Sequence, residues 1–147
     1  MTRVNYNLAH DAPMLTRKPF TLAEADRSLV LVRRVVADIV QHYTRLVDLQ
    51  ESIDAAQASG AYEQCETSQR QLVEVAQRLQ AFAEELDVVG VELRDWITGV
   101  VDFPCMIDGR EACFCWRLGE DHVEYWHEVG SETETRQSVS DLAAHPV

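Results

Sequence analysis

The chain has 147 residues, 46% of them hydrophobic and 26% charged, which suits one packed domain and leaves no room for two ordinary cores. Its 25 acidic residues against 13 basic ones give a formal net charge of −12, which disfavours DNA or RNA as a partner. No apolar run approaches the roughly 20 residues that cross a bilayer, and the N-terminus lacks the apolar stretch of a signal peptide. We therefore expect a protein that is not exported and that has neither a nucleic-acid partner nor a membrane partner.

The N-terminal part is predicted to contain a flexible arm followed by a long helix. Residues 1–19 are basic and contain proline, which is typical of a loose arm. Thr21 and Glu24 then form the sequence pattern of a capping box, in which each side chain accepts a hydrogen bond from the other residue's backbone amide. The helix after this cap carries a coiled-coil seam of apolar residues spaced by seven. The two seam positions are Leu22, Leu29, Val36 and Tyr43, and Ala25, Val32, Ile39, Leu46 and Ile53.

A second helix is predicted from about Ala61 to Val89, because Gly60 interrupts the first apolar pattern and a new one follows. Two long helices joined by a short link fold back on each other, so residues 21–89 are expected to form an antiparallel hairpin. The seam of the second helix consists of Leu72, Leu79 and Leu86 with Val75, Phe82 and Val89.

The first helix has more apolar residues than one partner helix can cover. A two-stranded coil needs only the two seam positions, and additional apolar positions indicate a further packing surface. We expect the sheet to cover part of this surface and a second copy of the chain to cover more, most simply in a homodimer. The residues outside the seam are Val35, Val40, Val47 and Leu49.

The C-terminal part is predicted to form an antiparallel sheet over residues 91–128. Val100–Ile107 and Arg110–Leu118 flank Asp108-Gly109, a strong signal for a two-residue hairpin turn. A third strand is predicted over His122–Glu128. Val91–Arg94 is expected to add a fourth strand at the edge.

The pairing of the last two predicted strands decides which side chains share a face. With Glu120-Asp121 as the turn, Arg117 lies opposite Glu124, and Cys115 lies opposite Trp126. His127 then points towards the helices. A shift by one residue would move every side chain of the strand to the other face.

Together these elements predict an α+β fold, in which a long antiparallel two-helix hairpin packs on a small three- to four-stranded antiparallel sheet. Residues 20–130 are expected to form this single domain. Residues 131–147 are polar and acidic at their start, and they are predicted to be a flexible C-terminal tail.

Four cysteines, Cys65, Cys105, Cys113 and Cys115, are present without any C-x-x-C pair. The usual zinc-ribbon and thioredoxin signatures are therefore missing. Cys113 and Cys115 would share a face of a strand, where two thiolates could bind one metal ion. The alternative is that they are two free thiols.

Four short motifs resemble those of a known bacterial family, the domain of unknown function 2203 family. They appear in one order over most of the chain, and the strand motifs are the more specific ones. The resemblance implies a cytoplasmic bacterial protein and supplies no activity. The motifs are Phe20-Thr21-Leu22-x-Glu24-Ala25, Val101-Asp102-Phe103-Pro104, Cys115-Trp116-Arg117-Leu118-Gly119-Glu120 and Tyr125-Trp126-His127-Glu128.

The first candidate site is a ligand site around Arg117. In the predicted register, Arg117 lies between Asp102 and Glu124 and is bordered by Trp126. A guanidinium held in this way could bind a carboxylate or phosphate through its fork of donors. Two other interpretations stay open: cross-strand ion pairs that fix the register, and anchors of a subunit interface.

The second candidate site is a metal site formed by Glu120, His122, His127 and Glu128. Imidazoles and carboxylates close together can bind zinc or another divalent ion. His122 and His127 are five residues apart, however, and on one strand they would point to opposite faces. A structural, hydrogen-bonded His127 is therefore the alternative.

These patterns favour a non-enzymatic, oligomeric interaction or scaffold protein with an unknown protein partner, because no nucleophile with a nearby base is recognisable. The alternative function is a metal-dependent enzyme or small-ligand sensor that uses the polar residues of the C-terminal sheet. We expect no cofactor under the first interpretation and a divalent metal under the second.

Overall fold

A computed structural model describes residues 17–129 and 135–144 of the chain. It confirms the predicted α+β fold and shows five strands, one more than the larger of the predicted numbers. None of the helices in the described ranges is both long and apolar enough to cross a membrane. The elements are α1 (Leu22–Ser59), α2 (Tyr62–Val89), β1 (Glu92–Asp95), β2 (Val100–Ile107), β3 (Arg110–Arg117), β4 (Tyr125–Glu128), β5 (Gln137–Ser138) and a 3-10 helix (Val139–Ala144).

The predicted capping box of α1 is confirmed. The Glu24 backbone amide donates to the Thr21 hydroxyl at 3.1 Å, and the Thr21 amide donates to the Glu24 carboxylate at 2.9 Å. The helix runs for 38 residues and ends at Gly60, whose φ of 75° closes it in the left-handed conformation. At 1.5 Å per residue, α1 is about 57 Å long.

The two helices bury most of their predicted seams against each other and against the sheet; on α1 the exceptions are Leu22, which is exposed, and Tyr43, which is half-buried. On α1, the second seam position is buried along its whole length, from Ala25 to Ile53. On α2, Leu72, Leu79 and Leu86 are buried, whereas the other seam position is half-buried. The apolar cluster is continuous with the sheet, so one core serves the whole domain.

The five strands form an antiparallel meander in the order β1-β2-β3-β4-β5. The predicted register of β2 and β3 is confirmed, because Ile107 pairs with Arg110 around the Asp108-Gly109 turn. Both turn residues have positive φ, as a twisted two-residue hairpin requires. One sheet face packs on the helices through side chains such as Phe103 and Trp116. The opposite face, called the outer face below, carries Asp102, Cys113, Cys115, Tyr125 and His127.

The predicted register of β3 and β4 is wrong by one residue. Cys115 pairs with Tyr125 rather than Trp126, and Cys113 pairs with His127. This shift places His127 on the outer face, whereas Trp126 lies opposite Phe114 on the helix-facing side.

The cause of the shift is a seven-residue loop, 118–124, in place of the expected two-residue turn. The Trp116 indole N–H donates to the Glu120 carbonyl at 3.0 Å, which closes the start of the loop. The Val123 amide then donates to the Asp26 carboxylate on α1 at 2.8 Å. These contacts hold the loop against the helix, so strand pairing resumes only at Tyr125.

The structure describes only parts of the predicted N-terminal arm and C-terminal tail. Of the predicted arm 1–19, residues 1–16 lie outside the described residues, and Arg17 donates hydrogen bonds to the Val91 carbonyl and the Asp87 carboxylate. Of the predicted tail 131–147, residues 137–144 form β5 and the 3-10 helix. Residues 131–134 and 145–147 lie outside the described residues.

Candidate metal centre

Three neighbouring strands place Asp102, Cys115 and His127 together on the outer face. Asp102 on β2 lies directly opposite Cys115 on β3, and His127 on β4 lies opposite the next outer-face position, Cys113. Since side chains alternate along a strand, Asp102 and His127 both project from the same side of the sheet. They meet above the central strand, although β2 and β4 do not pair with each other.

The Asp102 carboxylate and the His127 imidazole form a buried pair. His127 Nε2 lies 3.0 Å from Asp102 Oδ1, and both side chains are only 1% exposed. The other ring nitrogen, Nδ1, lies 2.9 Å from the Glu128 carbonyl oxygen. A carbonyl oxygen can only accept a hydrogen bond, so Nδ1 carries a proton in this arrangement, and the contact with the Asp102 carboxyl group favours a second proton on Nε2.

The electrostatic consequence is an ion pair inside the protein. The hydrogen bond to Asp102 raises the pKa of His127, while burial of the ring acts in the opposite direction. The imidazolium form is thus favoured although the ring is buried. Such pairs are costly to form but more costly to break, because removal of one partner leaves a buried charge.

Cys115 completes a group of three possible metal ligands. One ligand atom each from Asp102, Cys115 and His127 lies within 4.8 Å of the other two, and all three residues are buried. Burial and the nearby Asp102 carboxylate raise the pKa of the Cys115 thiol to about 12, so the metal-free side chain is a neutral thiol. A neutral, buried thiol is a poor nucleophile, which argues against thiol catalysis here.

The donor chemistry of this group fits a transition metal. Carboxylate, thiolate and imidazole are the three kinds of ligand that zinc uses, and three protein ligands suffice for a tetrahedral site with one further position. Metal-bound histidines commonly donate their second ring N–H to a backbone carbonyl. The contact of His127 Nδ1 with the Glu128 carbonyl meets this condition and leaves Nε2 facing the group.

One oxygen of Asp102 has an ion-pair contact but no hydrogen-bond donor among the described residues. Asp102 Oδ2 is buried and accepts no hydrogen bond within the described part of the chain. Arg94 Nε approaches it at 3.7 Å, which is too long for a hydrogen bond, and the Arg94 side chain is 40% exposed. Buried oxygens without a partner are uncommon, and a bound cation is one explanation of them.

The other cysteines lie outside this group. All four cysteines are free and buried. Cys113 shares the outer face with Cys115, as predicted, but its sulfur is not among the three clustered ligand atoms. Burial raises the pKa of Cys113 and, to about 12, that of Cys105, so both are neutral thiols at physiological pH.

A second polar cluster borders the centre on the C-terminal side. The Arg136 guanidinium donates to both Glu120 carboxylate oxygens, at 2.7 and 2.9 Å, and to the Cys115 carbonyl at 3.3 Å. It also lies over the Tyr125 ring, 4.0 Å from the centroid. Arg136 therefore joins the C-terminal segment to β3, to β4 and to the loop between them.

The residues predicted as a ligand site lie at four separate places. Arg117 is exposed, and its backbone N–H donates to the Glu120 carboxylate at 2.7 Å. Glu124 lies in the loop before β4, where its carbonyl accepts from the Val139 amide. Trp126 is on the helix-facing side, whereas Asp102 is paired with His127 on the outer face. The described contacts do not bring these side chains into one site.

The four residues predicted as a metal site are also divided. His127 is the one member that belongs to the clustered group, and the prediction that it faces the helices is wrong. Glu120 is engaged by Arg136, and His122 is exposed in the loop. Glu128 contributes its backbone carbonyl to His127.

The sequence contained part of the signal for the true grouping. The Asp108-Gly109 turn predicts Asp102 opposite Cys115, as observed, so two of the three candidate ligands can be paired from the hairpin alone. The third residue, His127, is predicted on the other face because a two-residue turn is expected between β3 and β4, where the structure has a longer loop. A register that puts His127 beside Cys113 would have completed the group.

Comparison with known proteins gives a family but no activity. Residues 18–139 match a family model described as an uncharacterized conserved protein, DUF2203. No curated protein and no solved structure matches the chain.

Proposed function

Because the chain belongs to DUF2203, a family described only as uncharacterized, we propose its function from its own residues. The proposal is that the protein binds one divalent transition-metal ion, of the zinc class, through Asp102, Cys115 and His127. The observation that carries the proposal is the approach of three buried ligand atoms to within 4.8 Å of one another. The pattern of an oxygen, a sulfur and a nitrogen donor favours zinc over magnesium or calcium, which take oxygen ligands.

The charge balance of the site supports metal binding, because a divalent ion can take the place of two protons. Without metal, the carboxylate and the imidazolium cancel, and the thiol is neutral. A divalent ion would replace the proton on His127 Nε2 and the proton on the Cys115 sulfur. The site would then contain two anionic ligands, one neutral ligand and a double positive charge, so its total charge would again be zero.

The burial of the three ligands supports a binding or sensing role rather than turnover of a substrate. Asp102, Cys115 and His127 are each at most 1% exposed. They come from β2, β3 and β4, so a bound ion would join three strands of the sheet. We infer that the protein is a metal-stabilised or metal-responsive module and not an enzyme.

The first test is metal binding by the full chain, purified without chelators and compared with a C115S variant. We expect about one equivalent of metal by elemental analysis and native mass spectrometry. Cobalt titration should give the thiolate-to-cobalt charge-transfer band in the wild type, and C115S should lack it. C113S is the matched control, because Cys113 lies on the same face but outside the clustered group, and it should retain the band.

Two results would contradict the proposal. Failure of the wild type to take up zinc or cobalt at neutral pH would show that the three residues form a structural cluster only. Equal loss of the band in C113S and C115S would show that the metal is not held by the proposed ligands.

A second candidate is the predicted oligomeric interaction function of the helical hairpin. Tyr43 contacts Trp96 of the β1–β2 turn, and α1 continues for a further 16 residues to Ser59. Large apolar side chains are exposed on the part of the hairpin beyond Tyr43. They are Val47, Tyr62 and Val73, at 39%, 77% and 54% exposure.

The sheet accounts for some of the apolar excess that predicted a dimer. A Cβ atom placed on Gly99 would lie 2.8 Å from Val36 and 3.1 Å from Val40, so these α1 residues are covered by the β1–β2 turn. Val35 and Leu49 of the predicted excess are buried as well. The exposed side chains beyond Tyr43 are therefore the part of the apolar surface that we propose for self-association.

This candidate is tested by comparing the oligomeric states of the wild type and the V73E variant by sedimentation. A homodimer at micromolar concentration that dissociates in V73E is the expected result. V88E is the matched control, because Val88 is 88% exposed at the other end of α2 and should leave the dimer intact. A monomeric wild type would refute self-association through the hairpin.

A further inference from the structure

A β-bulge in the edge strand β1 places Arg94 beside the proposed metal centre. The strand β1 advances by two residues, from Leu93 to Asp95, while its partner β2 advances by one, so Arg94 is the extra residue. A bulge of this kind interrupts the ladder and redirects a side chain. The Arg94 Nε atom lies 3.7 Å from Asp102 Oδ2. The bulged strand therefore brings a positive charge to the carboxylate of a proposed metal ligand.

The two oxygens of Asp102 have different cationic partners. Oδ1 lies 3.0 Å from the His127 ring, and both side chains of that pair are 1% exposed. Oδ2 has Arg94 at a distance too long for a hydrogen bond, and the Arg94 side chain is 40% exposed. Arg94 also lies 3.6 Å from Glu92, the residue directly opposite Asp102 on β1. Both contacts of Arg94 are long, so this side chain is held only weakly.

We propose that Arg94 is a competing cation at the metal centre: its guanidinium neutralises Asp102 Oδ2 in the metal-free protein and moves aside when a divalent ion binds. This inference rests on the proposed metal-binding function and adds a residue that lowers the affinity for the ion. Two positive charges beside one oxygen repel each other, so the wild-type affinity includes the cost of displacing Arg94.

Removal of the Arg94 charge should therefore strengthen metal binding. R94Q keeps a polar side chain without the charge, and it should bind Co²⁺ about tenfold more tightly than the wild type at low salt. R94K keeps the charge, and its affinity should lie within about threefold of the wild type. A gain of affinity is informative, because loss of a structural contact would weaken binding or leave it unchanged.

The salt dependence of this gain is a second readout. Because Arg94 is 40% exposed, dissolved ions screen its charge, and the advantage of R94Q over the wild type should shrink as KCl rises from about 0.05 M to about 0.5 M. A change in packing would not respond to salt in this way. The quantity measured is the Co²⁺ dissociation constant of the full chain at constant pH, obtained by competition with a chromophoric chelator.

The matched control is R110Q, which removes an exposed arginine from the same sheet. Arg110 pairs with Ile107, and Ile107 is about 17 Å along β2 from Asp102 at about 3.4 Å per residue. This separation exceeds the distance of about 8 Å over which charges are screened at physiological ionic strength, so R110Q should bind Co²⁺ like the wild type. Thermal unfolding of each metal-free variant confirms that the proteins compared are folded.

The outcomes separate this inference from the proposed function. If the wild type binds Co²⁺ and R94Q binds it equally well or more weakly, the competing role of Arg94 is refuted and the metal site stands. If the gain in R94Q is independent of salt, or if R94K shows the same gain, the charge is not its cause and the inference is refuted. If neither the wild type nor R94Q binds Co²⁺, the proposed function fails, and this inference fails with it.

Discussion

His127 on β4 and Asp102 on β2 are 3.0 Å apart, although β3 separates their strands. The pair thus bridges over a central strand that contributes two buried thiols beneath it, Cys113 and Cys115. β2 and β4 do not pair with each other, so the two side chains are positioned only through their common neighbour β3. Their meeting depends on a register in β3–β4 that differs by one residue from the simplest hairpin.

Loss of one partner of this pair should destabilise the protein strongly. D102N leaves the imidazolium of His127 without its counterion in a site that is 1% exposed. Breaking a buried ion pair in this way costs about 3–5 kcal/mol. We expect a loss of this size in the free energy of unfolding of the metal-free protein, measured by urea denaturation.

The control for D102N is D108N. Asp108 is exposed in the β2–β3 turn with φ of 52°, and asparagine is favoured at that turn position. Its stability should stay within about 0.5 kcal/mol of the wild type. A D102N variant as stable as D108N would show that the Asp102–His127 pair contributes no net stability.

The pH dependence of the metal-free protein follows from the same pair. Since the folded-state pKa of His127 is raised above its ordinary value of 6.5, the folded protein binds this proton more tightly than the unfolded chain does. The stabilisation is therefore complete below the unfolded pKa and is lost as the pH rises through the raised folded pKa. We expect stability in the presence of chelator to fall with rising pH above about 6.5.

The measurement for this dependence is a series of urea denaturations from pH 6 to pH 9. The D102N variant is the comparison, because it lacks the carboxylate that raises the pKa of His127. A decline in the wild type that is absent from D102N would confirm the assignment. An identical decline in both proteins would trace it to other groups.

Gly99 should tolerate alanine far less well than Gly109 does. Both have positive φ, 79° and 76°, so backbone strain is comparable at the two positions. A Cβ at Gly99 would lie 2.8 Å from Val36 and 3.0 Å from the Leu118 Cβ, whereas a Cβ at Gly109 meets nothing within 4 Å. Alanine should cost about 1–2 kcal/mol at Gly109 and about 2 kcal/mol more at Gly99.

Chemical denaturation of G99A and G109A measures this difference directly. Gly109 serves as the internal control for strain, so the excess loss at Gly99 reports the packing of the β1–β2 turn on α1. Equal losses of stability in the two variants would show that α1 and Leu118 accommodate the extra methyl group at residue 99 with no further loss in the free energy of unfolding.

Local sequence signals determined most of the fold in advance, and long-range contacts determined the part that was mispredicted. The capping box of Thr21 and the Asp108-Gly109 turn act within a few residues, so α1 and the β2–β3 register could be read from the sequence. The loop before β4 is different, because its conformation depends on α1, about a hundred residues earlier. Its partner on α1 is Asp26, which accepts from Val123.

The same reason explains why the candidate metal centre can be predicted only in part from the sequence. Asp102 and Cys115 are related by the two-residue turn, whereas His127 joins them only when the loop has its observed length. The metal site predicted from the sequence, which includes Glu120 and His122, consists of residues that are close together along the chain. The observed group spans three strands and 26 residues, from Asp102 to His127.

Asp26 should therefore control the placement of His127, although it lies on another element. D26A removes the acceptor of the Val123 amide, which is 2.8 Å from the Asp26 carboxylate. Loss of this partly buried hydrogen bond should lower the free energy of unfolding by about 1–2 kcal/mol. It should also increase hydrogen exchange at Val123 and along β4 before the rest of the sheet is affected, because the loop anchors the start of that strand.

The matched control is D48A, which removes an exposed aspartate from the same helix. It should leave the exchange of β4 unchanged. If the proposed metal centre is correct, D26A should also weaken Co²⁺ binding, since a less restrained β4 holds His127 less firmly over β3. Unchanged exchange at Val123 in D26A would show that strand pairing, rather than the contact with α1, sets the register on which His127 and Asp102 depend.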